Sequence, residues 1–126
     1  MKQIVAIIRA QQMNRTRTAL ADAGFSGFTA RKIIGRGRGN VDLGVLHGAE
    51  AGREEAIARL GDGPMLLPRR MLTIVVADDH AEAAIQTIIS SNKTGEHGDG
   101  KIFVLPVKEA VRIRTRERGH DALTDR

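Results

Sequence analysis

The sequence predicts an α+β fold: two βαβ units in one domain, sharing a four-stranded antiparallel sheet with both helices on one face. Three observations predict it. Four short apolar runs, KQIVAIIR, FTARKII, MLTIVVA and KIFVL, are rich in β-branched residues and read as strands. Two stretches of helical period lie after the first and third of them. The resulting order, β-α-β, long connection, β-α-β, is the double unit of ferredoxin-like folds. A length of 126 residues suits a single core, so residues 1–126 read as one domain.

Each element has its own warrant. Lys2–Arg9 is apolar at alternate positions on both faces and predicts a strand buried on both sides. Asn14 predicts a helix cap, with the helix running to about Ala23. Met13, Leu20 and Ala23 form its inner stripe, and Gly24 stops it. Phe28–Ile34 predicts the second strand. Residues 35–68 contain no strong strand and predict a long mobile loop, with a short, weakly amphipathic helix over Ala49–Leu60. Met71–Ala77 predicts the third strand. Asp78 or Asp79 then caps a helix from about His80 to Asn92, with Ala81, Ala84, Ile85, Ile88 and Ile89 at helical spacing. Lys101–Leu105 predicts the fourth strand and Glu109–Arg114 a further short extended piece. The polar tail at 116–126 predicts fraying. Helices cover one sheet face only, while the first strand is apolar on both, so homo-oligomerisation is expected.

Composition narrows the function. The chain has no Cys, which removes disulfides, thiol catalysis and thiolate metal sites. It has three Phe and neither Tyr nor Trp, so its core is Ile, Val, Leu and Ala. The N-terminal apolar run is broken by Arg9 and is too short for a signal peptide. No stretch reaches the roughly 18 apolar residues of a membrane span. The chain therefore reads as soluble and cytoplasmic, with no membrane insertion. The net charge of +5 admits an acidic ligand or nucleic acid. The basic run at 112–120 has no interleaved aromatics, which argues against single-strand stacking.

Three motifs bear on chemistry. Gly35–Asn40, GRGRGN, follows a strand as a phosphate loop should, and Arg36 and Arg38 are suited to phosphate. It lacks the Lys-Ser/Thr of a P-loop and a helix after it, so it also fits a plain loop base. Residues 94–104, TGEHGDGKIFV, offer Thr94, Gly98, Gly100 and Lys101: a hydroxyl, two unhindered amides and an ammonium, the parts of an anion nest. A helix end followed by a loop explains Gly95 but leaves Gly98, Gly100 and Lys101 unexplained. Arg112-Ile113-Arg114 places two arginines on one face of a strand, as a polyphosphate requires and as a solvated edge also permits. His47, His80, His97 and His120 show no metal spacing, and no nucleophile elbow is present, so no metal site and no enzyme activity are expected. Nucleotide binding without turnover is the best reading of these residues.

TGxxGDGKIFV followed by VRIRT resembles the P-II family of nitrogen-regulatory signal proteins, as does MKQIVAIIR with its following helix. The resemblance covers nearly the whole chain outside the long loop. It implies a trimer, with ATP or ADP bound in three clefts between subunits and a T-loop projecting from the body. By position, Ile7, Thr29, Gly35, Arg36, Gly37 and Arg38 would line the site, with Val75, Gly98, Asp99, Gly100 and Lys101. Arg112 and Arg114 would reach in from the neighbour. Residues 35–68 would be the T-loop and 94–101 the B-loop. The family senses 2-oxoglutarate through Mg²⁺ held by ATP. Here Gly39 stands where a glutamine is usual, Arg69 where a lysine is usual, and Glu96 where a basic residue is common. With no tyrosine in the chain, tyrosine uridylylation or adenylylation is excluded. The loop's length and composition resemble the longer-loop member of the nitrogenase-associated NifI branch. That likeness implies inhibition of the dinitrogenase component when fixed nitrogen is plentiful, by a homotrimer or an assembly with a paralogue. Glu50, Glu54 and Glu55, with Arg53 and Arg59, would be partner contacts or merely a solvated face. Other readings are a P-II-like sensor of a different effector or transporter, a nucleic-acid-binding module, and a small nucleotide hydrolase.

Overall fold

The computed structural model describes residues 1–36 and 66–123. The Ala49–Leu60 helix and most of the long connection expected from the sequence lie outside them. The described elements are strand β1 (Lys2–Arg9), helix α1 (Met13–Asp22), strands β2 (Phe28–Gly35) and β3 (Leu67–Val76), helix α2 (Ala81–Asn92) and strand β4 (Lys101–Pro106). The sheet has four strands in the order β2-β3-β1-β4, and every neighbouring pair is antiparallel. This is the ferredoxin-like double βαβ.

Strand alternation sorts the sheet into two faces. Ile4, Ala6 and Ile8 of β1, with Leu72, Ile74 and Val76 of β3, are buried beneath the helices. Leu20 of α1 and Ala84 and Ile88 of α2 close the core from above. On the other face, Val5, Ile7 and Val75 are only partly buried, and Phe103 and Leu105 of the edge strand are 50% and 43% exposed. The first strand is therefore fully buried on the helix side alone.

Several boundaries differ from the sequence expectation. Asn14 is not a cap: a 3-10 turn at Ala10–Gln12 leads directly into α1, and the backbone carbonyl of Asn14 accepts the Thr18 hydroxyl inside the helix. Ala23 is exposed at the helix end, and Thr16 takes the expected place in the inner stripe. Gly24 does stop the helix, at φ +93. Strand β3 begins at Leu67 rather than Met71, because Leu67–Arg70 pair with Gly35–Lys32 and lengthen the β2–β3 ladder. Neither Asp78 nor Asp79 caps α2 with its side chain; both lie in a 3-10 turn, and Asp78 pairs with the N-terminal ammonium at 3.0 Å. Residues 109–114 form no strand. Val111 makes a lone bridge to Arg118, and Arg112 to Glu117 close a tight turn in which Arg116 has φ +64. The tail is ordered further than expected, with a 3-10 helix at Gly119–Leu123.

One polar pair joins the two helices inside the core. The fully buried Thr16 hydroxyl donates to the Gln12 carbonyl at 2.8 Å and accepts from Asn92 Nδ2 at 2.9 Å. Asn92 Nδ2 also donates to the Ile88 carbonyl at 2.9 Å. A buried amide that loses such a partner is left with a desolvated donor. Thr16→Val is therefore expected to lower the stability of the fold by about 1–3 kcal/mol, measured as a shift in the urea midpoint at unchanged slope.

Candidate functional site

The glycine-rich segment leaves α2 at Asn92 and enters β4 at Lys101, so it sits at the sheet edge beside the end of β1. Its geometry is set by one carboxylate. Asp99 accepts hydrogen bonds from the Thr94 amide at 2.8 Å, the Gly95 amide at 2.9 Å and the Thr94 hydroxyl. Arg9, at the end of β1, donates to the same carboxylate at 2.8 Å. Thr94, through its hydroxyl and amide, holds the Asp99 carboxyl well below the usual carboxylate range. Arg9 and Gly95 act in the same direction against a burial penalty.

Glycine is required at two positions of this loop. Gly100 has φ +118, and a Cβ there would lie 2.1 Å from the Ile7 carbonyl oxygen. The loop backbone is thus pressed against β1 with no room for a side chain. Gly98 has φ +97, and a Cβ there would meet Arg9 and Arg69 guanidinium nitrogens at 3.3 and 3.5 Å. Arg9 donates to the His97 carbonyl at 3.2 Å and Arg69 to the Gly98 carbonyl at 3.5 Å. Two cations therefore flank Gly98. Among the described residues, the Gly98, Asp99 and Gly100 amides donate no turn or loop bond to another backbone carbonyl.

The ladder register gathers the remaining strand residues on the sheet face away from the helices. Ile7 stands opposite Met71 and Lys101, Thr29 opposite Thr73, Val75 opposite Gln3, and Arg69 opposite both Arg9 and Ile33. Ile7, Thr29, Arg69, Val75 and Lys101, each singled out in the sequence, thus share one surface. Gly35 ends β2 against Arg69, whose Cγ lies 3.8 Å from the position of a Cβ at Gly35. Arg36 is exposed just beyond it. Gly37, Arg38 and Gly39 lie outside the described residues.

Two expected site residues are placed differently. The Asp99 side chain faces inward and braces the loop instead of facing a ligand. Arg112 is not on a strand beside Arg114. Its guanidinium lies 3.4 Å from Glu117 and donates to the Asp121 and Ala122 carbonyls at 3.3 and 3.4 Å, within its own subunit. Arg114 is exposed. The sequence reading missed Arg9, and the signal that would have found it was a lone arginine ending an otherwise apolar strand. The donor set fits a polyanion: amides, an ammonium and two guanidiniums, with the Asp99 carboxylate already committed. Among the described residues no group of three His, Asp or Glu converges.

Comparison with known proteins decides the family. The family model described as nitrogen regulatory protein P-II matches residues 1–117. The chain belongs to the P-II family. It is 44% identical over 124 residues to "Nitrogen fixation nifHD region GlnB-like protein 2" of Methanobacterium ivanovii, covering 98% of this chain and 99% of that protein. It is 41% identical to the protein of the same description from Methanococcus maripaludis, covering 98% and 100%. Among solved structures it resembles Arabidopsis thaliana PII bound to citrate, with a TM-score of 0.73 and 30% identity, covering 99% of this chain and 91% of that one. The P-II chain is thus a nitrogen-regulatory protein similar to relatives named for nitrogen-fixation regions, the NifI-like branch. At the level of the family it is a regulator and not an enzyme. No helix among the described residues is long and apolar enough to cross a membrane.

Two outcomes follow. Gly100→Ala is expected to dislodge the loop and cost about 2 kcal/mol or more, read from chemical denaturation; retention of wild-type stability would mean the loop moves freely off β1. Asp99 is a carboxyl with a depressed folded value, so its contribution is complete above the ordinary 3.8 and is lost as pH falls below that. The stability gap between wild type and Asp99→Asn is therefore expected to be constant near neutrality and to narrow on acidification below 3.8, followed by denaturant titration at a series of pH values.

Proposed function

We propose that this P-II protein binds ATP or ADP at the braced glycine loop and reports the bound ligand to a partner through the connection between β2 and β3. The observation that carries the reading is the braced loop itself, with Gly98–Lys101 beside two guanidiniums. The β- and γ-phosphates would lie against the Gly98–Gly100 amides, with Lys101, Arg9 and Arg69 neutralising their charge. The base would rest against the partly buried Ile7 and Val75. Mg²⁺ would come with ATP, since the Asp99 carboxylate is already taken up by Thr94, Gly95 and Arg9.

The half-covered sheet face, with Phe103 and Leu105 exposed, supports assembly of three copies around that face, either alone or with a paralogue. In such a trimer Arg112 and Arg114 would serve the neighbour's site. Arg112 would first release the Asp121 and Ala122 carbonyls. Arg9 and Arg69 together also suit a dicarboxylate such as 2-oxoglutarate, even with Gly39 in place of the usual glutamine. That a P-II protein of Arabidopsis was solved with citrate bound favours a carboxylate effector in this fold. Relatives named for nitrogen-fixation regions favour nitrogenase's dinitrogenase component as the partner, with inhibition when fixed nitrogen is plentiful. Ligands would act by favouring one conformation of the connection over another.

Calorimetric titration of MgATP is expected to show one site per subunit, about tenfold or more weaker in Arg112→Ala, and a further binding heat on adding 2-oxoglutarate. Nucleotide binding without that heat would leave an energy sensor or a different effector. Absence of nucleotide binding in wild type would overturn the reading.

A further inference from the structure

A surface with no role so far lies on the helix side of the sheet, where β2 and β3 run on toward their connection. The register places Lys32 of β2 opposite Arg70 of β3, and Arg70 opposite Ile8 of β1. Ile34 stands opposite Pro68, two positions further on. Ile8 faces the helices, so Lys32, Ile34, Pro68 and Arg70 share that face. The helices do not reach this far, and Lys32, Ile34 and Pro68 are exposed. Ile7, Arg69 and Lys101 lie on the opposite face, so the sheet itself separates this surface from the proposed phosphate site.

Two features of this surface call for a partner. The first is apolar. Ile34 is 67% exposed and Leu66, at the start of β3, is 60% exposed, whereas Ile4, Ile8 and Ile74 on the same face are buried. The second is charge. Like charges directly opposite each other on one face of a sheet repel. Lys32 and Arg70 stand in that relation, and neither forms an ion pair with a described residue. The Arg70 guanidinium donates to the Arg69 carbonyl at 3.2 Å. Segments 9–17, 31–36 and 66–71, which meet at this end of the sheet, carry arginine and lysine but no Asp or Glu. Lysine on an edge strand also guards against sheet-to-sheet association, but a guard does not account for isoleucine and leucine left exposed beside it.

We propose that this face docks an acidic amphipathic helix of a partner protein. Its carboxylates pair with Lys32 and Arg70, and its aliphatic side chains cover Ile34, Pro68 and Leu66. The apolar part begins two residues from the cations, about 7 Å along the strands. One helical turn spans about 5.4 Å, so a helix with its acids one turn from its leucines matches the spacing. Nucleic acid fits less well, because phosphates would satisfy the cations and leave Ile34 and Leu66 in water. The surface adjoins the connection through which the proposed function reaches a partner, and it deepens that part of the reading. It rests on residues across the sheet from the nucleotide, so its test needs no nucleotide.

The test is fluorescence anisotropy of the full chain, without nucleotide, against three labelled probes of equal charge: a helical peptide of Glu and Leu at amphipathic spacing, a helical peptide of Glu and Ala, and single-stranded DNA. The Glu–Leu peptide is expected to bind best, with an affinity that falls as salt is raised. Lys32→Gln with Arg70→Gln is expected to weaken it about tenfold or more, and Ile34→Ser about fivefold. Lys93→Gln with Lys108→Gln removes the same charge from exposed positions elsewhere and is expected to leave binding within about twofold of wild type. MgATP titration of the Lys32 and Arg70 double variant is expected to match wild type. Wild type that binds the peptide but no MgATP would sink the nucleotide reading and leave this one standing. Equal loss in both double variants, equal binding of the Glu–Ala peptide, or tighter binding of DNA would overturn the proposal. So would no binding of the Glu–Leu peptide, as when the chain's own Glu50, Glu54 and Glu55 or a second copy take up the face.

Discussion

The site depends on one partly buried ion pair, Arg9 with Asp99, and the amides around it. Asp99 gathers Thr94, Gly95 and Arg9, and so fixes a segment that glycine would otherwise leave with many conformations. Arg9 belongs to β1, the central strand that pairs with both β3 and β4. The loop is therefore fastened to the most constrained part of the sheet. Gly100 completes the attachment by letting the backbone touch the Ile7 carbonyl. Loop order and cation placement are consequences of the same few contacts.

This arrangement explains how the Asp99 carboxylate can stand inside the proposed anion site. A carboxylate facing the ligand would repel phosphate. Turned inward, it neutralises Arg9 partly while leaving Arg69 and Lys101 to face outward, and it orders the amides before a ligand arrives. Ordering in advance reduces the entropy lost on binding. The same logic applies to Arg112, which is held by Glu117 and the tail carbonyls rather than left swinging in solvent. Its contribution to a neighbouring subunit would require exchange of one set of acceptors for another.

Much of the fold was legible because the apolar periods are strong. KQIVAIIR and KIFVL are near-continuous apolar runs rich in β-branched residues, and AEAAIQTII keeps helical spacing. The misplaced boundaries share a physical cause: the deciding interactions are between distant residues. Leu67–Arg70 look like loop until Gly35–Lys32 pair with them. Asp78 looks like a cap until the N-terminal ammonium takes it. Thr16 looks like an exposed helix residue until Asn92 reaches it across 76 positions. The candidate site was legible as glycines and basic residues in a recognisable block. The direction of Asp99 and the role of Arg9 were not, because nothing local in the sequence says which of several cations a carboxylate will meet.

The central claim is that the inward carboxylate of Asp99 makes the loop a ready anion site. The most direct test is calorimetric titration of MgATP into Asp99→Asn beside wild type, with far-ultraviolet circular dichroism to show that the fold is retained. The account predicts a folded variant whose nucleotide affinity falls by about tenfold or more, although the substitution removes a negative charge from a site for an anion. Unchanged or tighter binding in the folded variant would contradict it.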